Sequence, residues 1–346
     1  MVIFKKMSCF FPQLTSNMPL KTFTIYEQYE MIGLYQILNR HNGGRLMHIT
    51  KDHYVFSMDK NHEPIAKVAS GQRLQVDVWD CFKGSVQDEK DLISGIDFNE
   101  INPATGPIYV EGAQPGNVLK VTIHSIDLDP QGAIMTSPGL NKYFSKEITE
   151  EETAICKVNE DQKTFDYYGA TFPVHKMIGV IGTAPKGEAV ATGLPDLHGG
   201  NMDNNQITEG SIVYLPVEVE GALLALGDMH AAMGDGEIWG SGVEIGGSVD
   251  LTVEVLESFP CPTPFVETDQ AYYSYGVGED FETAVVQAND RMAEFLMAQT
   301  GLSYNKVGMF MTFSAHLESC QIVNPNISMR VRVDKASYEK LKDVKE

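Results

Sequence analysis

Positive charge is what this chain has least of. Its 346 residues carry 26 Lys and Arg against 47 Asp and Glu, a formal net charge of −21 at pH 7. Proteins that grip nucleic acid or anionic membranes need a basic footprint, so the balance argues against both and favours small neutral or cationic ligands. Cysteine is sparse and scattered: Cys9, Cys81, Cys156, Cys261 and Cys320, with no Cys-x-x-Cys pair. That pattern predicts reduced thiols in a cytoplasmic protein rather than a disulfide framework. No apolar run approaches the roughly 20 residues that span a bilayer. Met1 to Leu14 carries Lys5-Lys6 and a short apolar run broken by Ser8, Pro12 and Gln13, which argues against a signal peptide. There is no Gly-x-Ser-x-Gly elbow of the kind serine hydrolases use, no repeat of solenoid period and no low-complexity tract.

What is there divides near residue 46. Residues 1–46 hold five basic and two acidic residues, net +3, while the remainder holds 21 and 45, net −24. Tyr26, Tyr29, Ile32, Leu34 and Ile37 fall near helical spacing, so Phe23 to Asn39 reads as an amphipathic helix in an N-terminal appendage, or in an artefact of start-site choice. From Met47 onward 43% hydrophobic content across the chain supports a sizeable core, and the segments read mostly as strands. They include 55–58, 66–68, 74–79, 108–111, 118–123, a hairpin from 155–158 to 164–168, and 248–255, whose odd positions are apolar. Phe281, Ala284, Val285, Ala288, Met292, Phe295 and Leu296 recur at helical spacing, with Glu279-Asp280 before them and Thr300-Gly301 after, which predicts one long helix. Val307 to Phe313 and Met329 to Val333 read as a final strand pair framing His316-Leu317-Glu318, taken as a polar turn.

The chemistry concentrates between Asp196 and Glu237. An Asp-x-His triplet occurs twice, at Asp196/His198 and Asp228/His230; on an extended strand residues two apart share a face, so each would present a carboxylate beside an imidazole. The intervening run, turning at Glu220-Gly221, is long enough for two strands that would bring the second triplet back beside the first. Convergent oxygen and nitrogen ligands suit a divalent metal ion. Asp196 and Asp228 are read either as ligands or as partners that orient their neighbouring His by hydrogen bonding. Glycines flank both triplets, and Gly234-Asp235-Gly236-Glu237 follows the second. Asn204 and Asn205 suit a turn, which for Asp203 is one of two open readings, and Cys81, beside Asp80 and Lys83, reads better as a small buried residue at a strand end than as a nucleophile.

Three longer segments carry a resemblance: Asn102 to Gly116, Pro195 to Asp203 and Gly227 to Glu237. From about Met47 to its end, the chain resembles the acetamidase/formamidase family, whose members hydrolyse short aliphatic amides to carboxylate and ammonia. The resemblance implies a mainly β fold, a β-sandwich with additional helices, holding a divalent metal, zinc or calcium, in a homodimer or larger homo-oligomer. Hydrolysing formamide or acetamide requires a strong nucleophile and stabilisation of the developing oxyanion, and metal-activated water with a polarised carbonyl supplies both. On that basis Asp80, Asp196, His198, Asp228 and His230 are the candidate metal ligands. Glu237 or Asp235 would move the proton, and Gly199, Gly200 or Gly234 would offer backbone N–H groups to the oxyanion. Trp79, Phe82, Trp239 or Tyr143 would close the acyl pocket. The competing expectation is a metal-stabilised β-sandwich that binds a small ligand without catalysis; zinc suits His with carboxylates, and calcium suits carboxylates with carbonyls.

Overall fold

The architecture follows from where the apolar residues alternate and where they do not. In strand Gly247–Leu256, Val249, Leu251 and Val253 are fully buried while Ser248, Asp250, Thr252 and Glu254 stay partly exposed. Each buried side chain of this size contributes roughly 1.5–3 kcal/mol. The strand pairs antiparallel with Gln72–Val78 on one side and Val118–Leu128 on the other, and Arg73 and Lys120 salt-bridge across to Asp250 and Glu254. These strands belong to a nine-stranded sheet that ends on Ala315–Gln321. In a second, twelve-stranded sheet, Met177–Gly182 and Leu224–His230 lie side by side and are buried at every position, so the first reads as a continuous apolar run rather than alternation, and the second does so up to its buried Asp228 and His230. One apolar cluster draws on both sheets, with Leu74, Val121 and Leu251 from the first and Ile108, Ile178 and Leu226 from the second.

This computed structural model describes residues 46–141 and 145–345. The fold is mainly β with added helices, as the sequence predicts. The N-terminal appendage, apart from Leu46, and its helix at Phe23 to Asn39 lie outside the described residues, as does Tyr143. No helix among the described residues is long and apolar enough to cross a membrane.

Helix α1, Phe281–Thr300, matches its expected span. Asp280 caps it by accepting the Thr283 N–H at 2.8 Å, and Gly301, at φ 73°, closes it with an N–H to Met297 O. The stretch Val307 to Phe313 is not a strand but lies within helix α2, Tyr304–Ser314. Val307, Phe310 and Met311 are buried at helical spacing, whereas Met309 and Phe313 are 64% and 79% exposed. A short apolar run fits either period, and here the 3.6-residue one prevails. His316-Leu317-Glu318 is correspondingly part of strand Ala315–Gln321, not a turn, and Glu318 accepts the Arg330 Nε–H at 2.8 Å. A short third helix, α3, spans Lys335–Leu341.

Candidate functional site

The two Asp-x-His triplets have different fates. Asp196 pairs with Gly199 in a hairpin whose tip is Leu197-His198, so this triplet is a turn and not an extended strand. The run after it does not fold back as a strand pair either. Ile212–Pro216 joins the nine-stranded sheet and Leu224–His230 the other, with the chain crossing between them at Glu220-Gly221. Strand Met177–Gly182 then separates the hairpin strand Gly199–Asn201 from Leu224–His230. His198 is buried, its carbonyl accepts the Thr183 N–H, and burial pushes its pKa down to about 4, which keeps the ring neutral.

The second triplet does present its side chains together. Asp228 and His230 lie on Leu224–His230 with His230 Nε2 3.5 Å from Asp228 Oδ1. His230 is paired across the sheet with Glu244, whose Oε2 lies 3.1 Å from the same Nε2 without hydrogen-bonding geometry. Glu237 and Glu244 both accept the Gly242 N–H, at 3.0 and 3.1 Å. Asn102 Nδ2 donates to Asp228 Oδ2 at 2.6 Å, and the Cys81 thiol lies 3.6 Å from Asn102 Oδ1. Potential ligand atoms of Asp203, Asp228 and His230 lie within 4.8 Å of one another, as do those of His230, Glu237 and Glu244, and those of Cys81, Asp228 and Glu244.

Two glycines make room for this convergence. A Cβ on Gly179, opposite Asp228 in the sheet, would sit 2.5 Å from Asp203 Oδ1 and 3.0 Å from Asp228 Oδ2. A Cβ on Gly242 would sit 2.5 Å from His230 Nδ1. The backbone is strained at the same place: Asn102, Asp203, Asp228 and Glu237 have φ of 53°, 42°, 53° and 47°. Left-handed conformations cost non-glycine residues free energy and gather at functional sites.

Electrostatically the cluster is unbalanced. Burial, followed by the Glu237 and Asp228 carboxylates, holds Asp203 well above its usual range; burial pushes Glu237 and Glu244 up to about 8 against the opposing pull of His230. Burial opposes the charge on His230, yet Glu244 and Asp228 outweigh it and raise its pKa well above 6.5. Asp203 Oδ1, Asp228 Oδ1, Glu244 Oε2 and both His230 ring nitrogens are buried without a hydrogen-bond partner. Bringing so many acids together out of water requires shared protons or a cation. A divalent metal ion fits the donor set, which offers several carboxylate oxygens and one imidazole nitrogen.

The acids open onto a cavity of about 600 Å³ lined by Cys81, Asn102, Asn201, Asp228, Glu237 and Glu244 together with apolar side chains, Phe82 among them. The crystal structure of an acetamidase from Bacillus halodurans is 41% identical, superposes with a TM-score of 0.82, and is matched over 85% of this chain and 99% of its own. The acetamidase/formamidase family profile matches residues 53–193 and 186–333. The chain belongs to this family. Among curated relatives, the acetamidase of Mycolicibacterium smegmatis is 26% identical over 56% of this chain, and the formamidase of Methylophilus methylotrophus 27% over 56%. The match spans 63% and 61% of their respective lengths, less than two thirds.

Several sequence candidates lie outside the three convergent groups of this family member. Asp80 Oδ1 accepts the Phe82 and Gly84 N–H groups at 2.8 and 3.0 Å, stabilising a turn. Asp196 and His198 occupy the hairpin described above, and Gly199 and Gly200 are paired within its ladder rather than lining the cavity. Gly234 does not line it either. Asp235 accepts from Arg330 Nη2 at 2.8 Å and from Asn205 Nδ2 at 2.7 Å, balancing a guanidinium that is 2% exposed. Gly236, at φ 94°, turns the chain between the two acids, so Asp235 faces Arg330 and Glu237 faces the cavity. Trp79 donates to Lys51 O, and Trp239 lines a separate cavity of about 340 Å³. The residues to which sequence reasoning gave no role are Glu244, Asn102, Gly179 and Asn201, and for Asp203 it left a turn as one reading without choosing it. Glu244 carried no local signal, because strand pairing alone brings it to His230. Burial and the surrounding carboxylates hold the Cys81 thiol well above 9, the opposite of what a thiolate nucleophile needs.

Proposed function

We propose that this cavity hydrolyses an amide C–N bond, giving carboxylate and ammonia. The observation that carries this reading is that Asp228, Glu237 and Glu244 line one cavity, with buried His230 and Asp203 grouped against them, in a chain of the acetamidase/formamidase family. Water adds to the carbonyl carbon, the C–N bond breaks, and one proton passes from the water to the departing nitrogen. Glu237 is the proton carrier: it lines the cavity beside Asp228 and Glu244, and its carboxylate can take a proton from water and return it to nitrogen. Asn201 Oδ1, buried without a partner, can accept an N–H from the substrate amide. Asn102 fixes the Asp228 carboxylate.

His230, Asp228 and Glu244, each present in two of the three convergent groups, are the ligands we assign to a divalent ion, with Asp203 beside them. When bound, the ion would polarise the carbonyl and lower the pKa of water. The imidazole nitrogen favours zinc over calcium, which takes oxygen ligands. The family resemblance also implies a homodimer or larger assembly, which analytical ultracentrifugation would show.

The deciding experiment follows ammonia release from short amides by the purified protein as isolated, after chelation, and after adding back zinc or calcium, with His230→Ala in parallel. Turnover that chelation abolishes, zinc restores and His230→Ala lacks is the expected result. If the folded, metal-replete protein releases no ammonia from any amide, it is a ligand-binding protein and the hydrolase reading is lost.

A further inference from the structure

The cavity is much larger than the smallest amides require. Acetamide, with four heavy atoms, displaces roughly 100 Å³, the share of three or four waters. The space beside the acids is about 600 Å³, within the range that holds drug-sized ligands. Its walls include Phe56, Phe82, Phe98, Ile101, Leu140 and Leu194. Acetamide bound by the acidic groups would leave much of this apolar surface in contact with water, whereas covering it is favourable in proportion to the area removed. No Lys or Arg is among the described residues lining the cavity, while Asp228, Glu237 and Glu244 are. A carboxylate at the far end of a substrate's acyl chain would therefore meet no basic side chain along the described wall.

We infer that the preferred substrate is an uncharged primary amide whose acyl group is bulky and apolar, held by these six side chains, rather than formamide or acetamide. The inference rests on the hydrolase reading above and specifies its substrate class. In a hydrophobic pocket each buried methylene is worth roughly 10- to 200-fold in kcat/KM. Selection therefore lies in filling the apolar wall, while the acids perform the same chemistry on every member of a series.

The test is a series of kcat/KM values on the metal-replete full chain with formamide, acetamide, butanamide, hexanamide and phenylacetamide. The monoamide of adipic acid is added as the charged counterpart of hexanamide. We expect hexanamide or phenylacetamide to exceed acetamide about tenfold or more, and the adipic monoamide to fall at least about tenfold below hexanamide. Ala191→Phe, at an exposed position lining the cavity, should shrink the space and lower the hexanamide-to-acetamide ratio. Melting temperature checks that the variant is folded. Formamide or acetamide equal to or better than the longer amides overturns the inference and leaves the hydrolase reading standing. An adipic monoamide as good as hexanamide overturns the uncharged part. Absence of turnover across the whole series removes both.

Discussion

Asn102 Nδ2 donates to Asp228 Oδ2 at 2.6 Å across a buried site, joining two left-handed residues that are 126 positions apart in the chain. The bond occupies one oxygen of Asp228 and leaves Oδ1 free, 3.5 Å from His230. Asn102→Leu removes the donor and strands a buried carboxylate oxygen, at a cost of about 1–3 kcal/mol. The expected outcome is a lower melting temperature together with a fall in kcat; unchanged values for both would mean that Asn102 does not hold Asp228.

Metal content should follow the convergent groups and not the first triplet. Asp228→Asn and His230→Ala should lose most of the bound divalent ion when the purified proteins are analysed by elemental mass spectrometry. Asp196→Asn should retain it. Retention by both of the first pair would show that Asp228 and His230 do not hold the ion.

Glu237→Gln keeps the side chain's shape while removing its ability to carry a proton. If Glu237 moves the proton in hydrolysis, kcat should fall about 10²- to 10⁴-fold with the melting temperature and metal content little changed. Asp235→Asn provides the contrast: the Arg330 contact weakens, so stability should fall more than kcat.

His198 gives the fold a pH dependence of known sign. Its folded pKa, about 4, lies below the ordinary 6.5, so above 6.5 both folded and unfolded states are neutral and the residue contributes no slope. As pH falls from 6.5 towards 4, the unfolded chain gains a proton that the folded chain does not, and stability drops by up to about 3 kcal/mol. Denaturant titrations of the wild type and His198→Gln between pH 7 and pH 4 should show that part of the decline missing in the variant.

Gly179→Ala tests whether site geometry depends on empty space. The added methyl would collide with the Asp203 and Asp228 carboxylates, so metal content and turnover should both be lost even if the protein still folds. Full activity in this variant would show that the carboxylates can move apart without consequence.

Strands were legible wherever one face meets the core. Gly247–Leu256 and Gln72–Val78 announce themselves by alternation, and α1 by its apolar stripe and caps, because those signals are local. The α2 segment misled because seven apolar-rich residues fit a strand or a helix equally well until their packing partners are known. In the site, Asp228 beside His230 was readable because a two-residue spacing on a strand fixes a shared face. The same spacing at Asp196 and His198 meant nothing of the kind, because a hairpin tip has no shared face.

The sequence by itself determined the mainly β class, the long C-terminal helix, the acidic character and the presence of an acid–imidazole pair at Asp228 and His230, since each depends on composition or on residues a few positions apart. Only the tertiary structure decided that Asn102, Asp203 and Glu244 join that pair and that Asp80, His198 and Asp235 do not. Strand register across the sheet, the turn at Gly236 and the space left by Gly179 and Gly242 set those neighbours, and contacts between residues far apart in the chain leave no periodic trace in it.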